Sequence, residues 1–169
     1  MNKKQEANAL VIECITNTLL NMMKNQSFDT ITITDLTESA GVGRVSFYRN
    51  FDSKKEVLSK HLTSLMQEWS SKLESLDNMS LFSDSLIRHY YNHRDFYLLL
   101  YRQGLWDMIY ETLRNACKRE DAKSNLERYG TSMFAGMLFG WIDEWMRQGM
   151  PESPDEIVLL TLQANNAPT

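Results

Sequence analysis

Chain-breaking residues are scarce in this sequence. Three prolines and seven glycines are spread over 169 residues, and the longest alternation of β-branched side chains is the ITIT of Ile31–Thr34. Sandwiches and barrels need turn signals every 8–12 residues, so an all-β fold is excluded. The two cysteines, Cys14 and Cys117, lie far apart. They form neither a disulfide framework nor a paired-cysteine zinc motif, and their places on helical apolar faces predict reduced core thiols in a cytoplasmic protein. No apolar run approaches the ~18 residues of a membrane span, and the polar start Met1–Gln5 does not open a signal peptide. Glycine-rich phosphate loops and nucleophile elbows are missing too. His89 and His93 have the i, i+4 spacing of a metal pair, but no HExxH frame surrounds them and no third ligand is evident. We therefore expect no enzyme, no cofactor and no metal.

What is present is helix. Helix-favouring residues dominate and predict an all-α chain long enough to bury a sizeable core in one or two units. A first helix from about Lys4 to Lys24 carries an apolar stripe of Ala7, Leu10, Val11, Cys14, Ile15, Thr18, Leu19, Met22 and Met23. Thr32 and Asp35 form a near capping box, with Asp in the place of the usual Glu or Gln. Ile33, Leu36 and Ala40 then mark one buried face. Gly41 can take positive φ at the helix end, and Val42 can plug the turn. Residues 43–50 make another short helix, with Val45 and Phe47 turned inward and Arg44, Ser46, Tyr48 and Arg49 outward. A third starts at the capping box Ser53–Glu56 and continues through Val57, Leu58, His61, Leu62 and Leu65 to about Leu76. Two helices around a tight glycine turn form a helix-turn-helix, whose second helix can enter the major groove. The chain is acidic overall, at net −4, yet residues 44–60 set Arg44, Arg49, Lys54, Lys55 and Lys60 against only Asp52 and Glu56. A basic patch on one element of an acidic chain suits a DNA reader.

The run Ile33…Leu36…Ala40-Gly41-Val42…Phe47-Tyr48…Phe51…Ser53-Lys54…Glu56…Leu58 resembles the DNA-binding signature of the TetR family of transcriptional regulators. Gly43, Val45 and Asn50 depart from the residues usual there. The resemblance implies phosphate or groove-edge contacts for Thr32 and Thr34, and base contacts for Arg44 and Ser46. It implies a phosphate contact for Tyr48, base or backbone contacts for Arg49 and Asn50, and a phosphate contact for Lys54. Phe47 and Phe51 are expected in the core. The domains expected are a head over 1–52, a connecting helix over 53–76 without a flexible linker, and an effector-binding and dimerisation body over 77–169.

In the body, helices are predicted over Met79–His93, Asp95–Gln103 and Leu105–Arg119, with Gly104 as the break. One long helix is predicted from Ala122 to Gly149. Another begins at the capping box Ser153–Glu156 with Pro154 first. Aromatic and methionine side chains are dense here. Tyr90, Phe96, Tyr97, Tyr101, Trp106, Tyr110, Met133 and Met137 are either plain core or, as the resemblance implies, the lining of an effector pocket. Gly136 and Gly140 lie one turn apart and allow a close backbone approach. With Trp141, Trp145, Ile157 and Leu160 they suit a dimer interface of the four-helix-bundle kind. The function implied is a homodimeric repressor released from a palindromic operator by an effector. Control by a partner protein, or activation, is the alternative.

Overall fold

The computed structural model describes residues 3–72, 79–117 and 124–166. Among them are nine α-helices, one 3-10 turn and no strand. The contacts divide the chain into two compact units, residues 1–64 and 65–169.

In the first unit, α1 (Lys3–Met23), α2 (Ile33–Ser39) and α3 (Arg44–Asn50) pack on one another, and the start of α4 (Lys54–Ser70) belongs to the same unit. Helix α1 contributes Ile15, Leu19 and Met23, spaced by one turn and buried. The stripe expected along α1 is narrower than its apolar residues suggested. Ala7, Leu10 and Cys14 are exposed, so Cys14 is a surface thiol and not a core one. The buried line starts only at Ile15, with Asn8 and Val11 half-buried ahead of it. Cys117, in the other unit, is half-buried, and burial pushes its thiol up to about 11.

Helix α2 starts as its sequence predicts. The Thr32 hydroxyl accepts from the Asp35 amide at 3.1 Å, and Asp35 accepts from the Thr32 amide at 3.4 Å. Such a cap is worth about 1 kcal/mol. Gly41 has φ +65°, a left-handed conformation that costs other residues a Cβ clash, and it lets the chain turn into α3 within four residues. Helix α3 is held from behind by Phe47 and Phe51, 0% and 2% exposed, with rings 5.7 Å apart. Truncating such a buried phenylalanine typically costs 3–5 kcal/mol, roughly what a small unit has to spare. At the start of α4, the Ser53 hydroxyl accepts from the Glu56 amide at 3.2 Å. The return bond differs from the expected box, because the Glu56 carboxylate accepts from the amide of Asp52. That bond, with Lys60 at 3.0 Å, holds the Glu56 carboxyl below its ordinary range.

In the second unit, α5 (Met79–Asn92), α6 (Arg94–Arg102), α7 (Trp106–Cys117), α8 (Asn125–Arg147) and α9 (Pro154–Asn166) join the end of α4. Helix α5 packs on α6 and α9, while α6, α7 and α8 pack together. Gly104, with φ +72°, separates α6 from α7 as expected. Helix α8 begins at a capping box that the expected start at Ala122 overlooked: Ser124 caps Glu127, at 3.2 Å and 3.0 Å in the two directions. Ala122 lies outside the described residues, as do the expected ends at Leu76 and Arg119. At the centre, Tyr90 and Tyr97 stack with ring centroids 4.2 Å apart, and His89 shares a 2.7 Å hydrogen bond with the Tyr97 hydroxyl. Arg88 pairs with Asp84 and Asp155 and so ties α5 to α9. The Tyr101 hydroxyl donates to Asp143 at 3.1 Å and ties α6 to α8.

Candidate nucleic-acid interface

One turn of an α-helix takes 3.6 residues, so side chains two positions either side of Phe47 lie about 200° around α3 from it. Those are Val45 and Arg49. With Phe47 fully buried, they stand at the outward pole, and both are exposed. Arg44 and Tyr48 flank them on one edge and are exposed too, while Ser46 on the other edge is half-buried. The expectation that Val45 turns inward is therefore corrected: it is 74% exposed. A short helix with one buried phenylalanine at its centre has no second apolar face to hide. Arg44 and Arg49 make no ion pair with an acid among the described residues, so the outward face keeps its positive charge. The Tyr48 ring stands edge-on to Phe47, at 5.4 Å and 88°, and is 50% exposed.

The remaining residues expected at DNA are more committed. Thr34 is exposed. The Thr32 hydroxyl donates to Asp35 at 2.6 Å while accepting from its amide, so its hydrogen bonds are already used locally. Asn50 is half-buried and its side-chain amide is occupied on both sides: it donates to the Ser46 carbonyl at 2.8 Å and accepts from Asn8 of α1 at 2.9 Å. The backbone carbonyl of Asn50 accepts from Lys60 at 2.6 Å. Asn50 thus fastens the last turn of α3 to α1 and α4. Asn8 was not among the expected site residues, and only a partner forty-two positions away reveals its part.

Lys54 differs most from expectation. Its ammonium donates to the carbonyls of Phe28, Asp29 at 3.1 Å and Ile31 at 2.8 Å, and lies 4.5 Å from the centre of the Phe28 ring. The 3-10 turn at Phe28–Thr30 gathers carbonyls at its C-terminal end, where a cation is favoured, although that of Phe28 also accepts from the Ile31 amide. All three N–H donors of Lys54 are spent there, which makes it a staple of the head.

The residues expected to line an effector pocket fall into two aromatic clusters, Tyr90, Phe96 and Tyr97 together and Trp106 with Tyr110 on Phe139, and an exposed set. Tyr90 and Tyr97 fill the core of the second unit. Phe96 packs on Tyr97 at 5.6 Å, and Tyr110 meets Phe139 at 4.7 Å. Trp106 is exposed, as are Met133 and Met137 on α8. An aromatic at helical spacing shows which face is apolar but not whether a neighbouring helix or a cavity meets it. The histidine pair is likewise divided: His89 is buried against Tyr97, and His93 sits one turn on, with rings 5.0 Å apart. No group of three or more potential metal ligands gathers among the described residues.

The residues expected at a dimer interface fall into two sets. Trp145 and Ile157 are buried within their own unit, Trp145 stacking on Tyr91 at 5.9 Å, and are corrected to core. Gly136, Gly140 and Leu160 are exposed, and Trp141 is half-buried. Leu126, Tyr129, Gly130, Met133, Gly136, Met137 and Gly140 follow one another at helical spacing and are all exposed, an apolar stripe along α8. A Cβ added at Gly130, Gly136 or Gly140 would meet nothing within 4 Å.

A compact helical head that presents a short, positively charged helix from a glycine turn defines a DNA-binding transcriptional regulator of the helix-turn-helix class. Residues 15–60 match the profile described as bacterial regulatory proteins, tetR family, and residues 77–166 match one described as transcriptional regulator C-terminal region. The chain belongs to the TetR family. No curated protein matches it significantly. A solved structure, the crystal structure of Lin0861 from Listeria innocua, is similar with a TM-score of 0.76 at 16% identity, covering 98% of this chain and 94% of that one. At that identity the likeness speaks for the fold alone. No described helix is long and apolar enough to cross a membrane.

Proposed function

We propose that the protein is a homodimeric repressor whose α3 helices occupy successive major grooves of a palindromic operator. The supporting observation is the outward face of α3, where Arg44, Val45, Tyr48 and Arg49 are exposed while Phe47 and Phe51 lock the back. Arg44 is suited to grip guanine O6 and N7, and Tyr48 and Arg49 to hold phosphates beside it. Thr34 and Ser46 lie at the edges of this footprint. Lys54 and Asn50 act from behind, by holding the head in shape.

A single head of this size makes too few contacts for useful specificity, whereas two heads about 34–36 Å apart read both halves of a palindrome. The α8 stripe supports dimerisation. Each glycine inside a helix costs roughly 1 kcal/mol against alanine, and close approach of a second backbone would offset that. An effector would act by binding one spacing of the two heads better than the other.

Titration of a labelled duplex from upstream of the coding sequence tests the proposal. A salt-sensitive, sequence-preferring complex with two chains per duplex is expected. Arg44→Ala should lose about tenfold in discrimination at one base pair of each half-site. A complex without sequence preference, or none at all, overturns it.

A further inference from the structure

One of the two exposed side chains at the outward pole of α3 is not a hydrogen-bonding one. Val45 is β-branched, 74% exposed, and in the middle of the face that otherwise carries Arg44, Tyr48 and Arg49. Nothing in its own unit covers it, so its two methyl groups contribute little to folding. A β-branched residue also lowers helix propensity on a surface position, where alanine or a charged residue would serve better. Among the groups that base pairs present in the major groove, only the 5-methyl of thymine is apolar.

We infer that Val45 reads a thymine methyl group in each operator half-site and so sets base preference at one position beside the base pair held by Arg44. This rests on the proposal that α3 enters the major groove. The contact removes both apolar surfaces from water and adds no hydrogen bond. A cytosine in that place presents only a C5–H where the methyl stood, so the apolar contact with Val45 is lost and nothing replaces it. Arg44 discriminates at its own base pair, Arg49 supplies charge and register, and the valine adds discrimination at the neighbouring position.

Replacing thymine by deoxyuridine removes that methyl and leaves base pairing unchanged. The preferred duplex is first selected from random DNA with the full-length protein, and its thymines are then replaced one at a time, symmetrically in both half-sites. One replacement should weaken wild-type binding about fourfold per half-site, the equivalent of one buried methyl group. The same replacement should leave Val45→Ala unaffected, because that variant has already lost the contact. Val45→Thr keeps one methyl and should retain part of the effect. Since Val45 is exposed, neither variant should alter helix content. Equal sensitivity of wild type and Val45→Ala at every thymine overturns the inference, and so does a selected half-site without thymine. If α3 itself is not the reader, Arg44→Ala also leaves base preference unchanged. If only the role of Val45 is wrong, Arg44→Ala still shifts it.

Discussion

Lys54→Met separates two accounts of one lysine. As a phosphate contact, Lys54 contributes to DNA affinity and nothing else. As a staple, it holds the 3-10 turn Phe28–Thr30 to the start of α4 through three carbonyls. A hydrogen bond from a charged donor contributes about 1.5–3 kcal/mol, and a cation over an aromatic face about 0.5–1 kcal/mol at a partly exposed site. One ammonium shared among three acceptors does not deliver three full bonds, and water can reach some of the carbonyls when it leaves. We expect a loss of about 2–3 kcal/mol from the head. Methionine keeps the apolar stem, so packing against Phe28 changes little. Trp69, Trp106, Trp141 and Trp145 all lie in the second unit, so tryptophan fluorescence does not follow this loss. Amide hydrogen exchange does. Protection over residues 28–36 and in α3 should fall about thirtyfold to a hundred-and-fiftyfold, with the second unit unchanged. Where the head remains folded, the slope of log affinity against log salt should stay at its wild-type value. Unchanged protection, together with a salt slope smaller by about 0.9 per head, would refute the staple.

Two further outcomes follow from the second unit. His89 titrates at about 4 instead of the ordinary 6.5, chiefly because burial penalises its charged form and secondarily because of His93. The unfolded chain therefore binds the extra proton first as pH falls, and stability drops between about 6.5 and about 4 by up to roughly 1.4 kcal/mol per pH unit. Urea unfolding across that range should show the slope in wild type and a flatter profile in His89→Gln; identical profiles would remove His89 as the cause. Met133→Glu places a carboxylate in the middle of the α8 stripe, at a side chain 77% exposed in the single chain. It should leave the unfolding of one chain unchanged and raise the dimer Kd at least about a hundredfold, by sedimentation or light scattering. A dimer of unaltered strength would move the interface elsewhere.

Much of the fold was legible because its signals are local. The capping pairs Thr32–Asp35 and Ser153–Glu156 satisfy their own amides within four residues, so the helix starts follow directly from the letters. The same logic applies to Gly41 and Gly104, whose positive φ answers a local need to turn. The box Ser124–Glu127 is equally local and sets the start of α8 in the same way. The site was legible only in part. A recognition helix could be located, and Arg44, Tyr48 and Arg49 could be assigned outward from the position of Phe47. Val45 could not, since an apolar residue in a seven-residue helix fits either face until neighbouring helices choose one.

By itself, then, the sequence determined an all-α chain, the turn that presents α3, and the positive charge on that helix, since each depends on residues a few positions apart. Tertiary structure alone decided which side chains remain available. Asn50 meets Asn8 forty-two residues away, and Lys54 meets carbonyls more than twenty residues away, so both are occupied by partners that no local pattern announces. In the second unit the same physics sorted one apolar set in two: Tyr90, Tyr97 and Trp145 found neighbours and became core, while Met133 and Met137 did not and stayed on the surface. Burial is settled by what the rest of the chain brings to a face, and a helical period shows only that the face exists.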